Sequence, residues 1–397
     1  MCSALSRFRA IRERLTLPGL ALDELRRDRL GLRPDPGLTR AVDEAIAWLV
    51  RAQDESASRD GGVARHFSVV SGWSSSYPET TGYIIPTMLT CAHRLDRPDL
   101  RERARRMLDW LVSIQLPGGG FQGGLVDSKP VLPVTFNTGQ ILLGLASGVG
   151  EFGEAYREPL RRAADWLVET QDADGCWRRH ASRFVMPGDK AYYAHAAWGL
   201  LEAARVEPDR DYTTAALANI RWTLSLHHPD GWFDQCCLND PTQPLTHTLG
   251  YALRGVLEAY RTTRDPAFLD AGRATADALV RCIGPDGFLP GQIAPGWRGN
   301  TSWACLTGSV QLAACWFLLF RWTQDEAYRD EAYAVNRFVR RTVRFDGAAG
   351  TRGGIAGSFP IDGGYGRFEF LNWAAKFFID AQFLEADIRS GTAGPES

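Results

Sequence analysis

The sequence predicts an all-α protein, an (α/α)6 barrel of six inner and six outer helices with a short N-terminal helical extension. Three observations lead there. A segment made of a helical stretch, then Gln, then a Gly-containing loop and an aromatic recurs along the chain. A second, strongly apolar element alternates with it. Both recur six times, and a repeat of this length denotes a supersecondary unit that buries its apolar face only against its neighbours.

The first element reads WLVRAQDESASRDGG from Trp48, WLVSIQLPGGGF from Trp110, WLVETQDADGCW from Trp166 and WTLSLHHPDGWF from Trp222. It is degenerate in ALVRCIGPDGF from Ala278 and in FVRRTVRFDG from Phe338. The helix leading into the second copy carries Leu100, Ala104, Leu108, Leu111 and Ile114 on one face and Arg and Glu on the other, the pattern of an outer helix. The second element includes YPETTGYIIPTMLTCA, TFNTGQILLGLA, THTLGYALRGVLEAY and RFEFLNWAAKFFIDA. It is apolar nearly all round, which requires burial on every side. Gly82, Gly139, Ala197, Gly250, Gly308 and Ala374 hold equivalent places in its six copies. An open solenoid would need a polar capping repeat; the last copy is as apolar as the others, so closure is expected. The barrel is placed at residues 38–388. Residues 1–37 are read as an Arg-rich helix ending in the linker LRPDPGL, and residues 389–397 as a disordered tail.

Composition narrows the function. The chain has 397 residues, with 45 Lys plus Arg against 47 Asp plus Glu, so it carries no basic footprint for nucleic acid. No apolar run is long enough to span a membrane. The eight Cys do not form a disulfide framework, and the Arg-rich start has no apolar core of a secretory signal, so a cytoplasmic, reducing location is expected. P-loop, dinucleotide and GxSxG motifs are absent. Asp234, Cys236, Cys237 and His247 lack the spacing of a zinc site, and neither metal nor cofactor is expected. Oligomeric state is left open.

Parallel inner helices would gather their first turns, and the loops entering them, at one mouth of the barrel. Those first turns carry Glu79, Asn137, Gln140, Tyr193, His195, His247, Ser302 and Glu369, and the loops bring Trp73, Tyr77, Trp177, Trp232, Phe288, Trp297 and Tyr365. Glu-Thr-Thr-Gly-Tyr from Glu79 aligns with His-Thr-Leu-Gly-Tyr from His247, which puts Glu79 and His247 at one depth as an acid–base pair. The Glu79 carboxyl should lose solvation there and titrate nearer neutrality, while His247 should titrate near neutrality already. Glu369 is the third catalytic candidate. Trp73, Tyr77, Asn137, Gln140, Tyr193, His195, Trp232, Trp303, Tyr365 and Lys376 are the candidate substrate contacts. Lys376, one of three Lys in the chain, sits in an apolar helix and must reach the cavity or pair with an acid. Each candidate also has a structural reading: a helix cap for Glu79, hydrogen-bonded barrel residues for the two His, an ion pair for Lys376.

SIQLPGGGFQGG and ETQDADGCW resemble the Gln-Trp repeats of the α/α-toroid superfamily, which includes terpene cyclases, prenyltransferase β subunits and many sugar-active enzymes. The resemblance covers residues 38–388 and speaks to the fold. The chain lacks the DxDD acid of squalene cyclases, and Asp234-x-Cys236 matches the prenyltransferase zinc motif only in part. YPETTGY, WACLTGSVQLA and FLNWAAKFF are similar to toroid proteins associated with bacterial polysaccharide assembly. The expected partner is therefore a glycan or small molecule. The leading reading is a carbohydrate-active enzyme that uses acid–base chemistry on an acidic or amino-sugar glycan, by hydrolysis or by lyase or epimerase chemistry. Glu79 and Glu369 would serve hydrolysis. Glu79, His247 and Tyr193, with Arg183 or Lys376, would serve elimination or epimerisation. The alternatives are an isoprenoid enzyme, terpene cyclase- or prenyltransferase-like, and a non-catalytic glycan-binding scaffold.

Overall fold

The structure, a computed structural model, describes residues 17–392. The first half of the expected N-terminal extension and the last five residues of the expected tail lie outside the described residues. After a helix α1 (Gly19–Arg29), twelve helices alternate. The outer set is α2 (Leu38–Asp54), α4 (Pro98–Ile114), α6 (Arg157–Thr170), α8 (Tyr212–Ser225), α10 (Pro266–Val280) and α12 (Glu326–Arg340). The inner set is α3 (Pro78–Arg94), α5 (Thr135–Phe152), α7 (Ala194–Val206), α9 (Thr246–Thr263), α11 (Leu306–Thr323) and α13 (Asn372–Ser390). Consecutive inner helices pack on one another, and α13 packs on α3, closing the ring. The protein is an all-α (α/α)6 barrel.

Local signals set the helix starts. Proline opens α3, α4 and α10, where its missing N–H costs nothing. Asp211, Asp265 and Asp325 cap α8, α10 and α12, each accepting from a backbone N–H at 3.0–3.2 Å. The α4 stripe is buried as Leu100, Ala104, Met107, Leu108 and Leu111, while Ile114 is only partly covered. Inner helices meet through small residues: a Cβ on Gly199 of α7 would lie 2.0 Å from the Gly139 carbonyl oxygen of α5.

The repeated Gln and Gly have one structural job. Gln53, Gln115 and Gln171 each donate through Nε2 to the Gly of their own loop, at 2.8–3.0 Å. Each donates again to a backbone carbonyl of the next outer helix, at 2.9–3.2 Å. Gly119, Gly175, Gly231 and Gly287 adopt positive φ, and a Cβ on any of them would lie 2.2–2.6 Å from a carbonyl oxygen of the following outer helix. Gly353 closes the cycle against Glu44 of α2. The sixth-copy glycine read from the sequence, Gly347, meets Arg27 side-chain atoms of α1 instead.

Among the described residues, sheet is confined to short strands in the loops at the mouth. β1 (His66–Ser68) pairs antiparallel with β2 (Gly72–Trp73) and with β7 (Glu369–Leu371), joining the first and last repeats. The pairs β3 (Ile293–Ala294) with β4 (Arg298–Gly299) and β5 (Ala304–Cys305) with β6 (Ser358–Phe359) complete them. The extension is tied down by buried charge. Arg344 binds Glu24 at 2.7 Å and also Asp28, whose other oxygen accepts from the Ile361 amide at 2.7 Å.

Gly199→Ala should overpack the α5–α7 contact and lower unfolding free energy by about 1–3 kcal/mol in urea melts, with helical circular dichroism retained.

Candidate active site

The mouth opens into a cavity of about 420 Å³. Glu79, in the first turn of α3, and His247, in the first turn of α9, both line it, with Tyr77, Asn137, Tyr193 and Tyr365. Placement follows from the shared motif, since equal positions on two parallel inner helices bring side chains to equal depth. Tyr83 and Tyr251, the last residues of the two matching motifs, lie one turn deeper and line it too.

Glu79 is 8% exposed, and its carboxylate oxygen Oε2 accepts from the Tyr77 hydroxyl at 2.9 Å. Burial pushes its carboxyl up to about 7, against the opposing pull of the Tyr77 hydrogen bond and of Arg65. Tyr77 is itself pushed well above the usual phenol range by burial and by the neighbouring carboxylate, so it stays a donor. His247 differs from the expectation of a group titrating near neutrality: burial depresses its imidazole to about 4. It is neutral at pH 7. Nδ1 is bonded to the Gln311 carbonyl oxygen at 2.9 Å, which places the ring proton there and leaves Nε2 as an acceptor. Its ring packs on Tyr251 at 4.3 Å and Tyr365 at 5.2 Å. Trp373 donates to the Tyr365 hydroxyl at 2.9 Å, and Tyr193 stacks on Phe136 at 5.9 Å.

Glu369 stands in strand β7, ahead of the inner helix rather than in its first turn. Tyr193 likewise lies in a 3-10 turn before α7, and Ser302 in the loop before β5. Glu369 accepts from Arg65 at 3.0 Å and approaches His66 at 3.5 Å. Arg65 also lies over the Trp373 ring at 5.0 Å. Arg65 and His66 line the cavity and were not singled out from the sequence, because only the β1–β7 pairing brings them there. Tyr251, Tyr192, Phe136 and Trp373 were also passed over; for Tyr251 the signal was present in the shared motif. Arg183 lines the rim, donating to the Lys129 carbonyl at 2.6 Å.

Other candidates lie elsewhere. His195 and Gln140 bond each other at 2.8 Å and are buried without lining the cavity. Trp73 packs on Trp48 and Phe67, and Trp232 packs on Trp297. The Trp303 ring fills the space above Gly291 and Gly364. Lys376 does not reach the mouth: it pairs with Asp380 at 2.6 Å toward the far end of the barrel. Asp234 is engaged by His228 at 2.8 Å and the Cys236 thiol by the Thr248 carbonyl, so neither is joined to His247. Among the described residues, no group of three or more His, Cys, Asp or Glu side chains is arranged to hold a metal, and no helix is long and apolar enough to cross a membrane.

No family model matches the chain. Over 106 residues it is 38% identical to ent-copalyl diphosphate synthase from Streptomyces sp. (strain KO-3988), a match covering 26% of this chain and 19% of that protein. The chain thus spans about a fifth of the length of the curated relative it matches. Solved structures overlay far more completely. Unsaturated glucuronyl hydrolase specific for heparin aligns with a TM-score of 0.70 at 15% identity, over 90% of this chain and 99% of that one. The glycosaminoglycan-degrading unsaturated glucuronyl hydrolase from Bacillus sp. GL1 gives 0.69 at 16%, over 89% and 97%. Cellobiose 2-epimerase from Bacillus thermoamylovorans gives 0.69 at 11%, over 88% and 98%. The shared fold is the (α/α)6 toroid. These neighbours are glycan-acting enzymes, and the likeness carries the fold.

A folded-state pKa raised to about 7 means that Glu79 costs stability as pH rises from its unfolded value of 4.5, with the full cost present above about 7. Glu79→Gln should therefore gain stability over the wild type between pH 5 and pH 8, by at most about 3 kcal/mol, in paired urea melts. A pH-independent difference would show that Glu79 is ionised throughout.

Proposed function

We propose that the protein is a carbohydrate-active enzyme that works by general acid–base chemistry at the mouth of the barrel, with Glu79 as the proton donor. The observation that carries this is Glu79 itself: a buried carboxyl, raised to about 7, opening onto a cavity walled by tyrosines and Trp373. Aromatic faces suit the C–H surface of a sugar, and phenol and amide groups suit its hydroxyls. At neutral pH a large share of Glu79 holds its proton, with the Tyr77 hydroxyl donating to Oε2, and can deliver it to a leaving or carbonyl oxygen. His247 is neutral with Nε2 free to accept, which fits the partner base. Arg65 and Arg183 put positive charge at the same cavity and favour an acidic glycan. The toroid neighbours that act on glucuronyl and cellobiose substrates support this reading. Glu369, held by Arg65, is better suited to fixing that guanidinium than to direct proton transfer.

A second reading is favoured by the local match to ent-copalyl diphosphate synthase and by the aromatic lining: Glu79 would protonate an isoprenoid, with ring faces stabilising the resulting cation. Calorimetry against uronic-acid and amino-sugar oligosaccharides and against prenyl diphosphates separates the two. Binding of prenyl diphosphates alone overturns the glycan reading.

With a turned-over glycan in hand, Glu79→Gln and His247→Ala should each reduce kcat by at least about 10²-fold, with Glu79→Gln at least as stable as the wild type and the helical circular dichroism of both variants retained. Activity limited by a protonated Glu79 should fall as pH rises through about 7. Turnover within a few-fold of wild type in both variants rejects the pair.

A further inference from the structure

A second cavity, of about 340 Å³, opens at the other end of the barrel and runs from the C-terminal turns of the inner helices up to Lys376 and Trp198 in the second turns of α13 and α7. Its walls are unlike those of the mouth. They carry charged side chains in dense pairs: Asp387 is held by Arg94 and Arg321, Glu258 by Arg254 and Arg261, Glu202 by Arg205 and Arg261, and Asp380 by Lys376. Six cations thus serve four carboxylates. Helix C-termini attract positive charge, but two of the five cations lining this cavity hold donors beyond what their partners use. Lys376, with a side chain 5% exposed, has three N–H groups, and Asp380 at 2.6 Å engages one of them. Arg254, 23% exposed, donates through Nε to Glu258 at 2.6 Å, and its two terminal nitrogens make no hydrogen bond among the described residues. Its guanidinium is braced instead over the Trp198 indole at 4.3 Å. Both residues line the cavity, and the Arg254 charge bears on the Lys376 ammonium.

We propose that this lower chamber is a binding site for a small anion of the phosphate or carboxylate class, held between Lys376 of α13 and Arg254 of α9. An anion there fills the idle donors with charge-assisted hydrogen bonds and relieves the repulsion between two like charges that are largely withdrawn from water. The volume exceeds that of inorganic phosphate, so the occupant is a small metabolite that bears such a group, with Trp198 available to cover its apolar part. The site shares no lining residue with the Glu79 cavity and does not depend on the reaction proposed there. The two are mechanically adjacent: the Lys376 ammonium lies 5.5 Å from the centre of the Tyr83 ring, and Tyr83 lines the upper cavity.

Inorganic phosphate and citrate serve as probes, titrated calorimetrically into the full chain at low salt. Saturable binding of at least one is expected, with phosphate alone or citrate alone distinguishing the two sources of the anion. Lys376→Met and Arg254→Gln should each weaken binding by about tenfold or more, the loss of one charge-assisted hydrogen bond, and Glu79→Gln should leave it unchanged. Arg254→Gln leaves Glu258 paired with Arg261, so it carries the test if Lys376→Met does not fold. No saturable binding of either probe, or binding that neither variant weakens, overturns the proposal.

Discussion

The barrel depends on one close approach, repeated around the ring: a glycine in the loop leaving an outer helix presses against the backbone of the next outer helix. At Gly119, Gly175, Gly231, Gly287 and Gly353 the spacing leaves no room for a Cβ, and at these and at Gly61 the φ is one that L side chains rarely adopt. Where Gln precedes the loop, its amide binds that glycine and the neighbouring helix at once, fixing the angle between successive hairpins. Six such steps close the circle, and Gly353 on Glu44 is the last of them. In the fourth unit His227 stands where Gln is expected and bonds Thr275 at 3.1 Å, while Thr275 binds the Gly231 carbonyl at 2.7 Å. The chemistry of the staple varies; the glycine contact persists.

Closure creates the site. It collects six helix N-termini and their loops at one end, and the residues there inherit an environment that none of them has locally. Glu79 is an ordinary first-turn carboxylate by position, and a helix N-terminus favours its charge. Walls of Tyr83, Tyr251, Tyr365 and Trp373 remove its water, and desolvation wins over the hydrogen bond from Tyr77 and the pull of Arg65. The same desolvation pushes His247 the other way. One cavity thus holds a carboxyl shifted toward protonation and an imidazole kept neutral, the opposite displacements that acid–base partners need. Arg65 would draw Glu79 back toward ionisation if it were free to turn; its bond to Glu369 across the β1–β7 pair keeps the guanidinium occupied.

The two ends of the barrel are built from different materials. At the mouth, aromatic rings carry the walls, with Glu79, Arg65 and Arg183 set among them. At the other end, charges are dense and mutually compensated. The inner helices between them are apolar, with the His195–Gln140 hydrogen bond inside the core and the Gln140 amide nitrogen left without a partner among the described residues. The axis therefore runs from a chamber walled mainly by aromatic rings to one walled by paired charges.

Much of this was legible in the chain. The alternation of amphipathic and apolar segments, the Gln and Gly recurrences and the matched Glu79 and His247 motifs determined the helix order, closure and the two residues at the heart of the cavity, because periodicity and position in a repeat are local properties. Tertiary structure alone decided the rest. Arg65 and His66 reach the site through pairing of strands from the first and last repeats, a contact between residues about 300 positions apart that no local pattern encodes. Trp73, Trp232 and Trp303 looked like platforms by their loops, and packing turned them into wall material. Lys376 needed a partner, and one turn of its own helix supplied Asp380 and directed it to the far end. Depth along the axis and the direction of a side chain are set by the closed ring, since both depend on neighbours that the linear sequence places a whole barrel away.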